Sequence, residues 1–217
     1  MLAIERAIAV PTHGRYIVEE AIGGGPWRLL IGFHGYAEAA EAQLERLQCI
    51  RVADSWLRVS VQGLHRFYRG RTTDVVASWM TKQDRTLAID DNVSYVEAVI
   101  EEIARAGEVA SVAFAGFSQG VAMAFRAAVR SKRPVAGVIA LGGDVPPELD
   151  LRALANVNRA LIGRGSGDQW YGPQTLASDV ERLRSARVRV EVEEFEGGHE
   201  WTEQFSRATE RFLEAER

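Results

Sequence analysis

At 217 residues, 47% hydrophobic and 26% charged, the chain has the composition of an ordinary globular protein and is long enough to bury a large core. A net charge of -4 gives no electrostatic basis for binding nucleic acid or an anionic membrane. Lysine occurs only at Lys82 and Lys132, and the many arginines are interleaved with Glu and Asp, as on a solvated surface.

The opening stretch, MLAIERAIAVPTHGRY, carries Glu5 and Arg6 and has no long apolar core, so it does not read as a signal peptide. No run approaches the ~18–20 apolar residues of a membrane span. The expectation is a cytoplasmic protein with no stable membrane association. Ala3 to Val10 and Tyr16 to Glu20 are short β-like runs, and His13-Gly14 between them predicts a hairpin turn. Gly23 to Gly25, followed by Pro26, marks a break. Leu29 to Phe33 is a continuous apolar run of strand length, suited to burial on both faces. It ends in His34-Gly35. Ala37 to Ile50 has Leu44 and Leu47 at helical spacing. Cys49 lies in that stretch and reads as a small buried apolar residue rather than a nucleophile. As the only cysteine it allows no intrachain disulfide, which fits a reducing compartment.

Trp56 to Val61 is the next expected strand. Gln62 to Arg85 is the least regular stretch, polar with Phe67, Tyr68 and Trp79 embedded; such a loop is usually functional or hides a short helix. Whether it is a lid is left open. Asp90 or Asp91 is placed to cap a helix carrying Val93, Val96, Val99, Ile100 and Ile103. Strand, helix and strand follow over Val109 to Ala115, Val121 to Arg130 and Ala136 to Leu141. Then come a strand over Ala160 to Gly163, a helix over Pro173 to Ala186, and a strand over Val188 to Phe195. Phe205, Ala208, Phe212 and Leu213 mark a last helix. This alternation predicts an α/β fold, with a mainly parallel sheet, helices on both faces and an antiparallel hairpin in front. No repeat or linker divides the chain, so residues 1–217 read as one domain.

In such sheets, sites form outside the carboxyl ends of the strands. Three reactive residues follow expected strands directly. Ser118 stands in GFSQG, between a strand and a helix, where the GxSxG pattern exposes a serine on a sharp turn. Asp168 follows a strand through the glycine-rich turn GRGSGDQW, and His199 follows another through Gly197-Gly198. The order Ser, Asp, His is the one the α/β-hydrolase fold uses. A serine hydroxyl needs a base to take its proton, histidine can do this near neutral pH, and a carboxylate holds the imidazole in the right tautomer. Gly116 and Gly120 suit a strained turn with backbones passing close by. A developing oxyanion needs backbone N–H donors. Gln119, at the helix start, is one, and Tyr36, after His34-Gly35, is the other candidate.

Alternatives stand beside each assignment. Asp144, in LGGDVPP after another strand, is the competing acid. His34, His13 and His65 are competing bases, with His34 better suited to shaping the oxyanion loop. Four scattered histidines and one cysteine make no metal-ligand cluster, so neither metal nor cofactor is expected.

Together these motifs resemble the phospholipase/carboxylesterase family of α/β hydrolases, which includes the acyl-protein thioesterases. FHGYAE is similar to that family's oxyanion loop, GFSQG to its nucleophile segment, and SWM (Ser78 to Met80) to a segment bearing a tryptophan near the acyl site. RGSGDQ and GGHEW are similar to its Asp and His segments. The resemblance implies a small serine esterase with little or no cap. It would cleave carboxylic esters of short- to medium-chain acyl groups through an acyl-enzyme. A thioesterase or lysophospholipase on the same triad, or a non-catalytic binding protein on the same scaffold, are the rivals. Trp79, Met80, Phe117 and Trp170 are candidates for the pocket lining, although Trp79 fits plain core equally well. The chain departs from the family pattern at Val121, where a second glycine is usual, and at Tyr36-Ala37-Glu38. It departs again at Trp170-Tyr171, after the acid, and the bulkier rim predicts a narrower acyl site. The expected partner is a small-molecule ester; the oligomeric state stays open, a homodimer included.

Overall fold

The computed structural model describes residues 3–19, 25–51 and 56–215. The expected strand end at Glu20 and the Gly23-Gly24 part of the expected break lie outside them.

A seven-stranded sheet forms the centre. In chain order its strands are β1 (Arg15–Glu19), β2 (Trp27–Phe33), β3 (Trp56–Gln62), β6 (Val109–Phe117), β7 (Val135–Leu141), β8 (Arg159–Gly165) and β9 (Arg189–Phe195). Their spatial order is β1-β3-β2-β6-β7-β8-β9, and every pair is parallel except β1 with β3. The antiparallel element at the N-terminus is therefore one strand on β3, not a hairpin with Ala3–Val10. That run is exposed and forms no strand. Gly14 makes no hairpin turn; it lies against the Tyr95 ring, where a Cβ would come within 2.0 Å of Cε2.

The apolar runs are buried on both faces because helices cover both. Leu29, Ile31 and Phe33 of β2 point to one face. There they meet helices α2 (Arg85–Ala106), α3 (Gln119–Arg130) and α5 (Pro173–Ser185). Leu30 points to the other, against α1 (Ala40–Gln48) and α6 (Glu203–Glu214). Period-two alternation of side chains along the strand divides the run in this way. A short helix, α4 (Leu151–Leu154), carries no periodic signal; the Asp150 side chain caps it by accepting from the Ala153 N–H at 2.8 Å.

Three further expectations change. The irregular Gln62–Arg85 stretch holds a small antiparallel hairpin, β4 (His65–Tyr68) with β5 (Val75–Ser78). Its strands are four residues long and mostly solvent-facing in β4, too little to leave an alternating pattern. Helix α2 starts at Arg85, after Asp84, so Asp90 and Asp91 lie within it and cap nothing. Asp90 points outward and pairs with Arg130 at 2.7 Å. Cys49 is exposed, because α1 ends at Gln48 and the cysteine falls beyond the apolar stripe.

Candidate active site

Ser118 is the single residue between β6 and α3, with φ 53° and ψ -121°. L-residues avoid this conformation, and it survives only where the surroundings over-determine it. Here they do. The Ser118 N–H donates to the Leu141 carbonyl at 2.9 Å, and its carbonyl accepts from the Val121 N–H at 3.0 Å. A Cβ on Gly120 would lie 2.1 Å from the Phe33 carbonyl oxygen, and one on Gly116 2.5 Å from the Gly120 oxygen. The two glycines of GFSQG thus let the strand, the turn and the end of β2 approach at backbone contact. Gln119 is the first residue of α3, so its N–H has no intrahelical acceptor and the helix dipole adds to its pull on an anion.

The loop after β2 is held on every side. Burial pushes the His34 imidazole below its ordinary value, and it stays neutral. Its Nε2 accepts from the Gly63 N–H at 3.0 Å, which leaves Nδ1 to donate to the Gly35 carbonyl at 2.7 Å. The Gly35 N–H donates to Glu38 Oε2 at 2.8 Å, and the Ala37 N–H to the Ala77 carbonyl of β5 at 3.0 Å. Between these engaged groups, the Tyr36 N–H has no acceptor among the described residues. The Gln119 side chain clamps the neighbouring segment: its Oε1 accepts from the Trp79 N–H at 3.1 Å and its Nε2 donates to Ser78 Oγ at 3.1 Å. Trp79 in turn donates from Nε1 to the His34 carbonyl at 2.8 Å. The serine–glutamine pair therefore ties the Ser118 turn to the SWM segment.

Glu38 and Arg46 brace this loop, and sequence spacing gave no sign of their pairing. Both carboxylate oxygens accept from Arg46, each at 2.6 Å. Burial pushes the Glu38 carboxyl up, but Arg46 and the Gly35 N–H outweigh it and hold it below the usual range. A carboxylate depressed on folding stabilises the fold above its unfolded value, and that contribution is lost as pH falls through the folded value. The urea-midpoint gap between wild type and Glu38→Gln should be full at pH 7 and close below about pH 4. A gap that stays constant into acid contradicts this. Ala37, with φ 57°, occupies a left-handed position that suits glycine. Ala37→Gly removes roughly 1–2 kcal/mol of strain and returns about half of that as unfolded-chain entropy. A small net rise in the urea midpoint is expected.

Asp168 and His199 meet outside the ends of β8 and β9. His199 Nδ1 donates to Asp168 Oδ2 at 2.8 Å. Asp168 Oδ1 accepts from the N–H groups of Trp170 at 2.8 Å and Tyr171 at 3.0 Å. Burial pushes the Asp168 carboxyl up, but the Tyr171 N–H, His199 and the Trp170 N–H more than offset it, so it is held below its ordinary value as a carboxylate. Buried Arg164 holds this turn from beneath, donating to the carbonyls of Tyr171 and Ser166 at 2.9 and 3.0 Å. One arginine among many carries no mark of that role in the sequence. Gly142-Gly143, after β7, fills the space between Ser118 and this pair. Gly142 has φ +66°, and a Cβ there would lie 3.0 Å from His199 Cε1 and 3.3 Å from Asp168 Oδ2; one on Gly143 would lie 2.3 Å from the Ser118 carbonyl.

The three strand-end residues therefore share one edge of the sheet. Of the rival acids and bases, His34 is committed to the loop and Asp144 stands in the wall of a cleft of about 320 Å³ that opens over Ser118 and Gln119. Met80, Arg85 and Trp170 also line that cleft. Trp79 and Phe117 do not. Trp79 is wholly buried, edge-on to Phe33 at 5.4 Å, as plain core beneath the loop after β2. Phe117 lies between the Arg46 guanidinium, 4.1 Å from its ring centroid, and the His199 ring at 5.0 Å. Among the described residues, no group of three or more His, Cys, Asp or Glu is placed to hold a metal ion, and no helix is long and apolar enough to cross a membrane.

A mostly parallel sheet with an antiparallel strand at one edge, helices on both faces and a serine on a strained strand–helix turn is the α/β-hydrolase fold. Solved structures agree. Esterase PE8 superposes with a TM-score of 0.73 at 18% identity, over 95% of this chain and 100% of the other. Acyl-protein thioesterase 2 from Zea mays gives 0.74 at 15%, over 94% and 99%. A carboxylesterase from Bacillus cereus gives 0.72 at 12%, over 94% and 95%. A search of curated proteins returned no sequence match. The phospholipase/carboxylesterase family model matches residues 28–216, and the chain belongs to that family. It is a hydrolase of the phospholipase/carboxylesterase type.

Proposed function

We propose that this protein cleaves carboxylic esters of short- to medium-chain acyl groups through an acyl-enzyme on Ser118. The observation that carries the reading is the 2.8 Å bond from His199 Nδ1 to an ionised Asp168, at the sheet edge where Ser118 is held on its strained turn. That bond leaves His199 Nε2 as the free nitrogen, ready to take a proton. Ser118 Oγ bonds to the acyl carbon as its proton passes to Nε2. The oxyanion is met by the N–H groups of Gln119 and Tyr36. The tetrahedral adduct then expels the alcohol, which receives the proton from His199. Water repeats the sequence, its proton going to His199 and then to Ser118 Oγ, and the free acid leaves. Every step uses this chain's own groups, with no cofactor. Met80 and Trp170 bound the cleft and limit the chain that enters. The lone cysteine fits a cytoplasmic setting.

Incubation with a fluorophosphonate and mass spectrometry of the digest tests the nucleophile. An adduct on the Ser118 peptide, with parallel loss of esterase activity, is expected; an unmodified Ser118 in an inhibited enzyme would sink the reading. A matched panel of acyl esters and acyl thioesters separates esterase from thioesterase.

A further inference from the structure

We propose that Arg85 reads a negative charge on the substrate, so that the preferred esters carry a carboxylate on the acyl chain. This rests on the hydrolase reading above and adds the substrate class. A pocket for a plain alkyl chain is lined by apolar side chains. The cleft over Ser118 has three, Met80, Ala122 and Trp170, and beside them two formal charges, Arg85 and Asp144. Among the described residues Arg85 has no close anionic partner. Its nearest carboxylate oxygen, on Glu148, is 3.9 Å away, and Glu148 gives its short contacts, 2.8 and 2.5 Å, to Arg126. Arg85 Nη1 rests instead on Met80 Sδ, a weak acceptor, at 2.7 Å. Arg126 Nη1 also approaches that sulfur, at 3.5 Å. Two guanidiniums share one carboxylate, and the Met80 wall of the cleft keeps an excess positive charge.

Arg85 is the first residue of α2, directly after the N-cap residue Asp84, whose side chain makes no cap hydrogen bond. Asp144 works from a different wall. It adjoins Gly143, which packs on the Ser118 carbonyl. A substrate carboxylate directed at the Asp144 wall is repelled, while one that reaches Arg85 is held. That arrangement selects an acyl group with its ester carbonyl at Ser118 and its anionic end at Arg85, as in a monoester of a dicarboxylic acid.

The test compares the 4-nitrophenyl monoester of adipic acid with 4-nitrophenyl hexanoate, which has the same six-carbon acyl chain without the charge. Wild type should favour the adipate ester in kcat/KM. Arg85→Gln should lower the adipate-to-hexanoate ratio about tenfold, mainly through KM, and Asp144→Asn should raise it. The wild-type preference should shrink with added salt, since Arg85 is about half exposed. A ratio that Arg85→Gln leaves unchanged, with both esters turned over, overturns the proposal and leaves the hydrolase reading standing. So does a preference for cationic esters that Asp144→Asn abolishes. Calorimetric binding of adipate to Ser118→Ala, weakened about tenfold by adding Arg85→Gln, supports it independently of turnover; no such weakening counts against it. Failure of both esters together with an unlabelled Ser118 instead removes the hydrolase reading.

Discussion

Ser118→Ala should lower kcat/KM toward 4-nitrophenyl esters by about 10⁴-fold or more while leaving the fold intact. The substitution removes one oxygen from a residue whose place is set by its backbone bonds to Leu141 and Val121, not by its hydroxyl. What activity remains should come from the N–H groups of Gln119 and Tyr36 acting on bound substrate. Ser118→Gly is the informative companion. It loses the same oxygen and also the strain of φ 53°, ψ -121°, which costs roughly 1–3 kcal/mol in a residue with a Cβ. Glycine should therefore be inactive yet melt above the alanine variant. Equal activity in Ser118→Ala and wild type refutes the nucleophile. Equal melting of alanine and glycine variants refutes the strain.

Asp168→Asn should cost about 10⁴ in kcat, near the effect expected when an imidazole is held in the wrong tautomer. The direction follows from which atom is already committed. Oδ1 accepts two backbone N–H groups, from Trp170 and Tyr171. An asparagine must keep its oxygen there, so its NH₂ replaces Oδ2 and points at His199 Nδ1. Nδ1 then accepts, the proton moves to Nε2, and the nitrogen proposed to take the serine proton can no longer receive it. Asp168→Ala leaves the tautomer unforced and should be no worse than Asp168→Asn, although it removes more atoms. Activity in Asp168→Asn within tenfold of wild type would show that Asp168 does not orient His199, and Asp144 would then be the acid to vary.

Of the strands that lead to the site, β6 and β8 could be read because they are largely buried on both faces and leave apolar runs that end in glycine turns, whereas β9 is a mostly exposed edge strand marked off by Gly197-Gly198. Apolar runs are how Leu29–Phe33, Val109–Ala115 and Ala136–Leu141 stood out, and runs and glycine breaks together made the placement of Ser118, Asp168 and His199 at strand ends visible. What depends on a distant partner was not. β1 becomes a strand because the edge of β3 receives it, and nothing within Arg15–Glu19 names that partner. The β4–β5 hairpin is fastened to the loop after β2 by two backbone bonds between Ala77 and the Ala37-Glu38 segment, and backbone bonds leave no trace in composition. Trp79 and Phe117 carry the size and apolarity of pocket walls, yet both are spent on support. The difference lies in which way each ring points, and period alone gives no direction.

Arg46 touches both halves of the proposed chemistry from α1, a helix outside the cleft. One side of its guanidinium grips Glu38 under the loop that presents Tyr36, and its face rests on Phe117, which backs His199. A shift of α1 would bear on the proposed oxyanion donor and the proposed base together. That makes the helix a common chassis rather than packaging. Loops around the mouth of the cleft can be exchanged to change what enters, but transplanting α1 from another scaffold would require rebuilding both sides of the reaction at once.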